Sequence, residues 1–220
     1  MMAPLMRRLV GASVAGVALA ACATSPATRF YVLTPVSPNA AALKDTAWAP
    51  VSERMTIGVR TVDLPEELDH PQIVTRTGPN TVQFAEFDRW SASLRESVMQ
   101  LIATNLSTLL PGDQLAVYPW APGTVVDREV IVEITRFDGA LGGECALQAR
   151  WRVVGRRGTP PVIYGRSTLT APSGADYAAL VAAHSRLVGT LSAEIARAIR
   201  RGTANTEATA PTVPRTAADD

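Results

Sequence analysis

Two apolar rhythms alternate along this chain, one of period two and one of period three to four. Gly, Pro, Asn or Asp marks most of the switches between them. Phe30, Tyr31, Val32 and Leu33 are β-prone and predict a strand over 29–34, followed by a surface loop rich in Pro, Ala and Asn over 35–52. Met55, Ile57 and Val59 alternate with Thr56, Gly58 and Arg60, which predicts a half-buried strand over 55–62. One helical turn is expected over 65–70. Strands over 72–77 and 81–86 flank Gly78-Pro79-Asn80, three turn formers, and so read as a hairpin.

The rhythm then changes to a helical one. Leu94, Val98, Leu101, Ile102, Asn105 and Leu109 fall on one face of a helix that opens at Ser93. Glu96 completes a capping box with Ser93, and Pro111-Gly112 ends the helix. Strands are predicted over 115–118, 128–137, 144–154 and 162–171, and the last three have connections short enough for antiparallel hairpins. A second helix over 176–201 carries the stripe Tyr177, Leu180, Val181, His184, Leu187, Val188, Leu191, Ile195 and Ile199. This order describes an α+β fold, a mostly antiparallel sheet with two long helices packed on one face. The Thr-, Ala- and Pro-rich run over 202–220 is expected to be a disordered tail.

The amino-terminal segment changes the picture most. Arg7 and Arg8 precede thirteen uncharged residues, 9–21, too few to span a bilayer, which takes about 20. Charge, then an apolar stretch, then small residues is the order of a secretory signal. The stretch ends Leu19-Ala20-Ala21-Cys22, which resembles a bacterial lipobox, where a peptidase cuts before a Cys that carries diacylglycerol. The expected organisation is a signal peptide over 1–21, a lipidated Cys22 with a short tether over 22–28, one domain over 29–201 and the tail. Acyl chains contribute about 0.8 kcal/mol per buried methylene, so several of them hold a protein on a membrane essentially permanently. Ala23 follows the Cys, with no Asp there, which favours the periplasmic face of the outer membrane.

Charge narrows the partners. The net charge of +1 falls to −1 when Arg7 and Arg8 leave with the signal, which gives no basic excess for nucleic acid. Twenty of the 21 basic residues are Arg, Lys44 being the exception. Their forks suit bidentate anion contacts, although a genome-wide base-composition bias explains the excess better.

Candidate chemistry is sparse. His70 and His184 are isolated, no residue pair has metal-ligand spacing, and no nucleotide loop or nucleophile elbow occurs, so no cofactor is expected. Cys145 shares the alternating face of Leu147, Ala149, Trp151 and Val153, so it reads as a small buried hydrophobe. The best catalytic candidate is Glu86-Phe87-Asp88-Arg89-Trp90, in which Glu86 and Asp88 could act as acid and base of an envelope hydrolase. The alternative is structural: Asp88 at the strand-to-helix junction, Arg89 paired with an acid, and Phe87 and Trp90 anchoring the helix.

Four motifs together resemble one family. They are Leu64-Pro65-Glu66-Glu67-Leu68-Asp69-His70-Pro71-Gln72-Ile73-Val74-Thr75-Arg76, Glu86-Phe87-Asp88-Arg89-Trp90, Tyr118-Pro119-Trp120 and Arg136-Phe137-Asp138-Gly139. With the lipobox and Tyr31-Val32-Leu33, they are similar in kind and order to the PqiC-like lipoproteins, the ABC-type transport auxiliary group, over about 19–201. The resemblance implies a fold similar to the amino-terminal domain of TolB. It also implies a non-enzymatic accessory subunit of an envelope transporter for lipids or other hydrophobic molecules, one that docks a periplasmic MCE-domain protein at the outer membrane. It carries over no catalytic residues. A free-standing lipid carrier is a further alternative. Tyr118 and Trp120, flanking Pro119, are the candidate partner contacts, since aromatics are enriched at interface centres. A symmetric partner would favour a homo-oligomeric ring of copies.

Overall fold

The computed structural model describes residues 26–35, 54–156 and 162–209, the last seven as helical backbone only. The proposed signal and Cys22, the loop over 36–53 and the tail beyond 209 lie outside the described residues.

The elements are β1 (Arg29–Tyr31), β2 (Thr56–Asp63), a 3-10 turn (Glu66–Leu68), β3 (Gln72–Gly78), β4 (Thr81–Trp90), α1 (Leu94–Leu109), β5 (Gln114–Val117), β6 (Arg128–Gly139), β7 (Glu144–Gly155), β8 (Ile163–Pro172) and α2 (Tyr177–Thr209). The α+β class holds, and each expected strand and helix has its counterpart. Helical backbone continues to Thr209, past the boundary at Arg201 that the composition suggested.

The strands form two sheets where one was expected, ordered β1-β4-β3 and β5-β2-β6-β7-β8. Their local pairs, β3 with β4, β6 with β7 and β7 with β8, are antiparallel hairpins. The non-local pairs, β1 with β4 and β2 with both β5 and β6, are parallel. Short connections permit only antiparallel neighbours, whereas parallel ones require long crossovers, and residue alternation does not reveal those.

Both helices cover the inner face of the five-stranded sheet. Ile57, Val59, Val130, Val132, Leu147, Ala149 and Val153 point into that layer and are buried. The predicted α1 stripe is buried throughout, and Ser93 caps the helix by accepting from the Glu96 amide at 3.4 Å. The α2 stripe is buried from Leu180 to Ile199, with Tyr177 partly so. Burying one Leu, Ile or Val stabilises by about 1.5–3 kcal/mol, so these stripes hold the layers together. The helices meet at Asn105, whose Nδ2 donates to Ser192 Oγ at 3.3 Å. Arg200 pairs with Asp113 at 3.2 Å and ties α2 to the start of β5.

Candidate functional site

Three of the four motifs converge where the two sheets join. Asp138, 3% exposed at the end of β6, accepts from Arg76 of β3 through Nε at 3.0 Å and Nη2 at 2.7 Å. Arg136 Nε donates to its other oxygen at 3.0 Å. Burial alone would raise this carboxyl's pKa, but the hydrogen bonds and charges of the two guanidiniums outweigh it and hold the pKa below the ordinary value. Phe137 packs on His184 at 4.4 Å, and Trp90 reaches the same ring at 6.2 Å. At Gly139 a Cβ would sit 2.5 Å from Cys145 Sγ, so the strands approach this closely only because the side chain is missing.

The Glu86-to-Trp90 motif forms the last five residues of β4, which runs past the expected end at Glu86 to Trp90 and leads through Ser91 and Ala92 to the Ser93 cap of α1. Its register with β3 jumps between Val74↔Phe84 and Gln72↔Arg89, and this bulge breaks the period-two signal that would have extended the strand. Asp88 is 4% exposed. It accepts from Arg29 at 2.8 and 2.9 Å and from the Tyr31 hydroxyl at 2.7 Å. Burial, then the hydrogen bond to Asp88, pushes the Tyr31 hydroxyl up to about 12. Glu86 is exposed. The two proposed acid-base partners thus sit in unlike surroundings, and Asp88 is occupied in clasping β1.

Burial pushes the Cys145 thiol up to about 11, and Sγ faces the Leu180 carbonyl at 3.9 Å. His184 is fully buried beside Asp138, and burial outweighs that neighbour and lowers its pKa to about 4. His70 packs edge-on against Phe84 at 5.2 Å. Among the described residues, no group of three His, Cys, Asp or Glu side chains is placed to hold a metal ion.

Tyr118-Pro119-Trp120 stands apart from the junction. The Tyr118 amide donates to Val59 O at 3.0 Å, the Tyr118–Pro119 bond is cis, and beyond it Trp120 lies on the outer face of the sheet. Trp120 lies over Gly58, where a Cβ would meet its Cη2 at 2.5 Å, and is half-buried. Tyr118 meets Trp120 edge-on at 5.4 Å and remains 48% exposed. The Arg60 guanidinium lies 5.7 Å from the Tyr118 ring centre and pairs with Glu129 at 2.8 Å. Neither Arg60 nor Gly58 was singled out from the sequence. Their signal was position, since both fall on the outward side of the β2 alternation.

The same outer face continues across β6, β7 and β8 in cross-strand rows. Ile131, Arg152 and Tyr164 make one row, and Glu133, Arg150 and Arg166 the next. They line an open groove of about 490 Å³.

The protein is a two-sheet α+β domain with helices packed on one face of its larger sheet and, among the described residues, no helix on the other. The chain belongs to the family of ABC-type transport auxiliary lipoprotein components, whose model matches residues 31–196. No curated protein is significantly similar. Two crystal structures share the fold. One, of an uncharacterized protein, is 21% identical, with 79% of this chain and 99% of that one covered at a TM-score of 0.63. The other, a DUF330 protein from Xanthomonas campestris, is 18% identical, with 82% and 99% covered at a TM-score of 0.60. Among the described residues no helix is long and apolar enough to cross a membrane.

Proposed function

We propose that this chain is an outer-membrane lipoprotein, anchored through acylated Cys22, that docks the periplasmic assembly of an MCE-domain transport system for lipids or other hydrophobic molecules. One observation carries the reading. Of the four motifs, only Tyr118-Pro119-Trp120 is not consumed in joining the sheets, and it forms an aromatic ledge on the face the helices leave open. An exposed Tyr118 backed by half-buried Trp120 and braced by the Arg60 cation is the material of an interface. The role is non-enzymatic: Asp88 is spent on Arg29 and Tyr31, which leaves Glu86 without an acid-base partner.

The tether sets the geometry. Residues 23–28 reach roughly 20 Å at full extension, so an MCE partner held at the inner membrane would have to bridge the periplasm. A ring of copies would match a symmetric partner. Site-specific crosslinking in intact cells, with probes at Tyr118 and beside Trp120, tests the docking. Capture of an MCE-domain protein is expected, and probes across the outer face that never capture one would overturn the reading in favour of a free-standing carrier. Cys22→Ser should leave an unprocessed precursor, and mass spectrometry of the wild-type terminus should show a lipid-modified Cys22.

A further inference from the structure

We propose that the β7–β8 side of the outer sheet face binds an extended acidic segment of the docking partner, added along the open edge of β8. The inference deepens the docking reading and rests on it.

The charge arrangement makes no sense for a face that meets only water. Arg150 and Arg166 are direct cross-strand neighbours, and like charges so placed destabilise a sheet. Arg152 sits two residues along on the same face. For these three guanidiniums the described residues supply one carboxylate, Glu133, at a loose 3.7 Å from Arg150. Glu129, the next acid on the face, is taken by Arg60. Among the described residues Arg152 and Arg166 therefore have no counter-charge. Tyr164, opposite Arg152, is 75% exposed and walls the groove.

The edge supplies the second half of the argument. β8 is the last strand of its sheet, and among the described residues its backbone bonds only to β7. An added strand gains affinity from main-chain hydrogen bonds and specificity from alternate side chains. On β8 the outward alternates are Tyr164, Arg166, Thr168 and Thr170, all exposed. A partner strand with carboxylates at every second position would lay them beside Arg166, within reach of Arg150 and Arg152. Bidentate pairing to planar carboxylates is what the arginine fork does best. An anionic lipid surface is the poorer occupant, because the face is a groove along a strand edge and not a protruding basic patch.

The full chain in neutral detergent provides the test. One probe is an eight-residue peptide alternating Glu and Val, a second replaces each Glu by Lys, and a third is a short-chain phosphatidylglycerol. The acidic peptide should bind at least tenfold more tightly than the basic one, weaken with added salt, and slow hydrogen exchange of β8 amides. Arg150→Gln combined with Arg166→Gln should cost at least tenfold in affinity. Should that double variant fail to fold, the Glu-against-Lys comparison on the wild-type chain still decides. Equal binding of both peptides, no binding of the acidic one, unchanged affinity in the folded double variant, or saturable binding of the lipid alone would each overturn the proposal. A chain that crosslinks to an MCE-domain protein beside Trp120 yet ignores the acidic peptide keeps the docking reading and loses this one.

Discussion

Arginines serve opposite ends in two regions of this molecule. Around the sheet junction Arg29, Arg76 and Arg136 each close on a carboxylate that is less than 5% exposed: Asp88 clasps β1 to β4 within the smaller sheet, and Asp138 ties that sheet to the larger one through Arg76. On the outer face Arg150, Arg152 and Arg166 stand in solvent around one loosely placed acid. The residue type is the same, and the difference lies in whether the fold supplies the counter-charge. Where it does, the arginine belongs to the architecture. Where it does not, the arginine is available to something else.

The contrast can be broken at its strongest point first. Trp90→Ala removes a ring that is 6% exposed and packed beside His184 in the junction, and should cost about 3–5 kcal/mol in denaturant unfolding. A loss under about 1 kcal/mol would show that the junction does not hold the fold. Asp138→Asn should cost about 2–3 kcal/mol, because Arg76 and Arg136 lose a charged acceptor but stay near enough to solvent to rehydrate. The wild-type carboxylate, with its depressed pKa, contributes stability above its unfolded value near 3.8, and this is lost as pH falls through its folded value.

His184 gives the junction a second pH signature at milder acidity. Its folded pKa of about 4 lies below the unfolded 6.5, so the unfolded state takes up protons first. Stability should fall by about 2 kcal/mol between pH 7 and pH 5, read from denaturant midpoints. His184→Phe should remove most of that dependence, and an unchanged slope in the variant would place its origin elsewhere. The smallest effect belongs to the outer face. Arg150→Gln or Arg166→Gln should leave stability within about 0.5 kcal/mol of wild type, tending upward as like-charge repulsion is relieved. A loss above about 1 kcal/mol would mean that these arginines are structural after all.

The junction was half legible in the sequence. Trp90 and Phe137 stood out as large apolar residues in motifs, and the α2 stripe placed His184 in the core. The pairing of Arg76 with Asp138 could not be read, because it joins residues on different sheets and no periodicity encodes which sheets meet. The β4 bulge hid the last residues of that strand and made Asp88 look like a residue at the start of a helix. The division into two sheets was hidden for the same reason that the parallel pairs were: both arise from long crossovers. The outer face was more legible than the reading of it allowed. The alternation that sent Cys145, Leu147, Ala149, Trp151 and Val153 inward necessarily sends Arg150 and Arg152 outward. Their neighbour Arg166 depended on the β7–β8 register, which residue types alone do not fix.

Under the lipidation proposed at Cys22, the clasp on β1 also governs how far this domain can stray from the anchor. With the anchor at Cys22, the slack is residues 23–28 for as long as Arg29 and Tyr31 hold Asp88 and Ser91 bonds back to Tyr31. If β1 were to peel from β4, the Thr34 amide would still hold Ser185 of α2 at 3.2 Å, and the leash would lengthen from roughly 20 Å to roughly 40 Å at full extension. Under the proposed docking role, a strand of three residues is thus a length stop that would keep the Tyr118 ledge within a narrow shell below the membrane and raise its local concentration there.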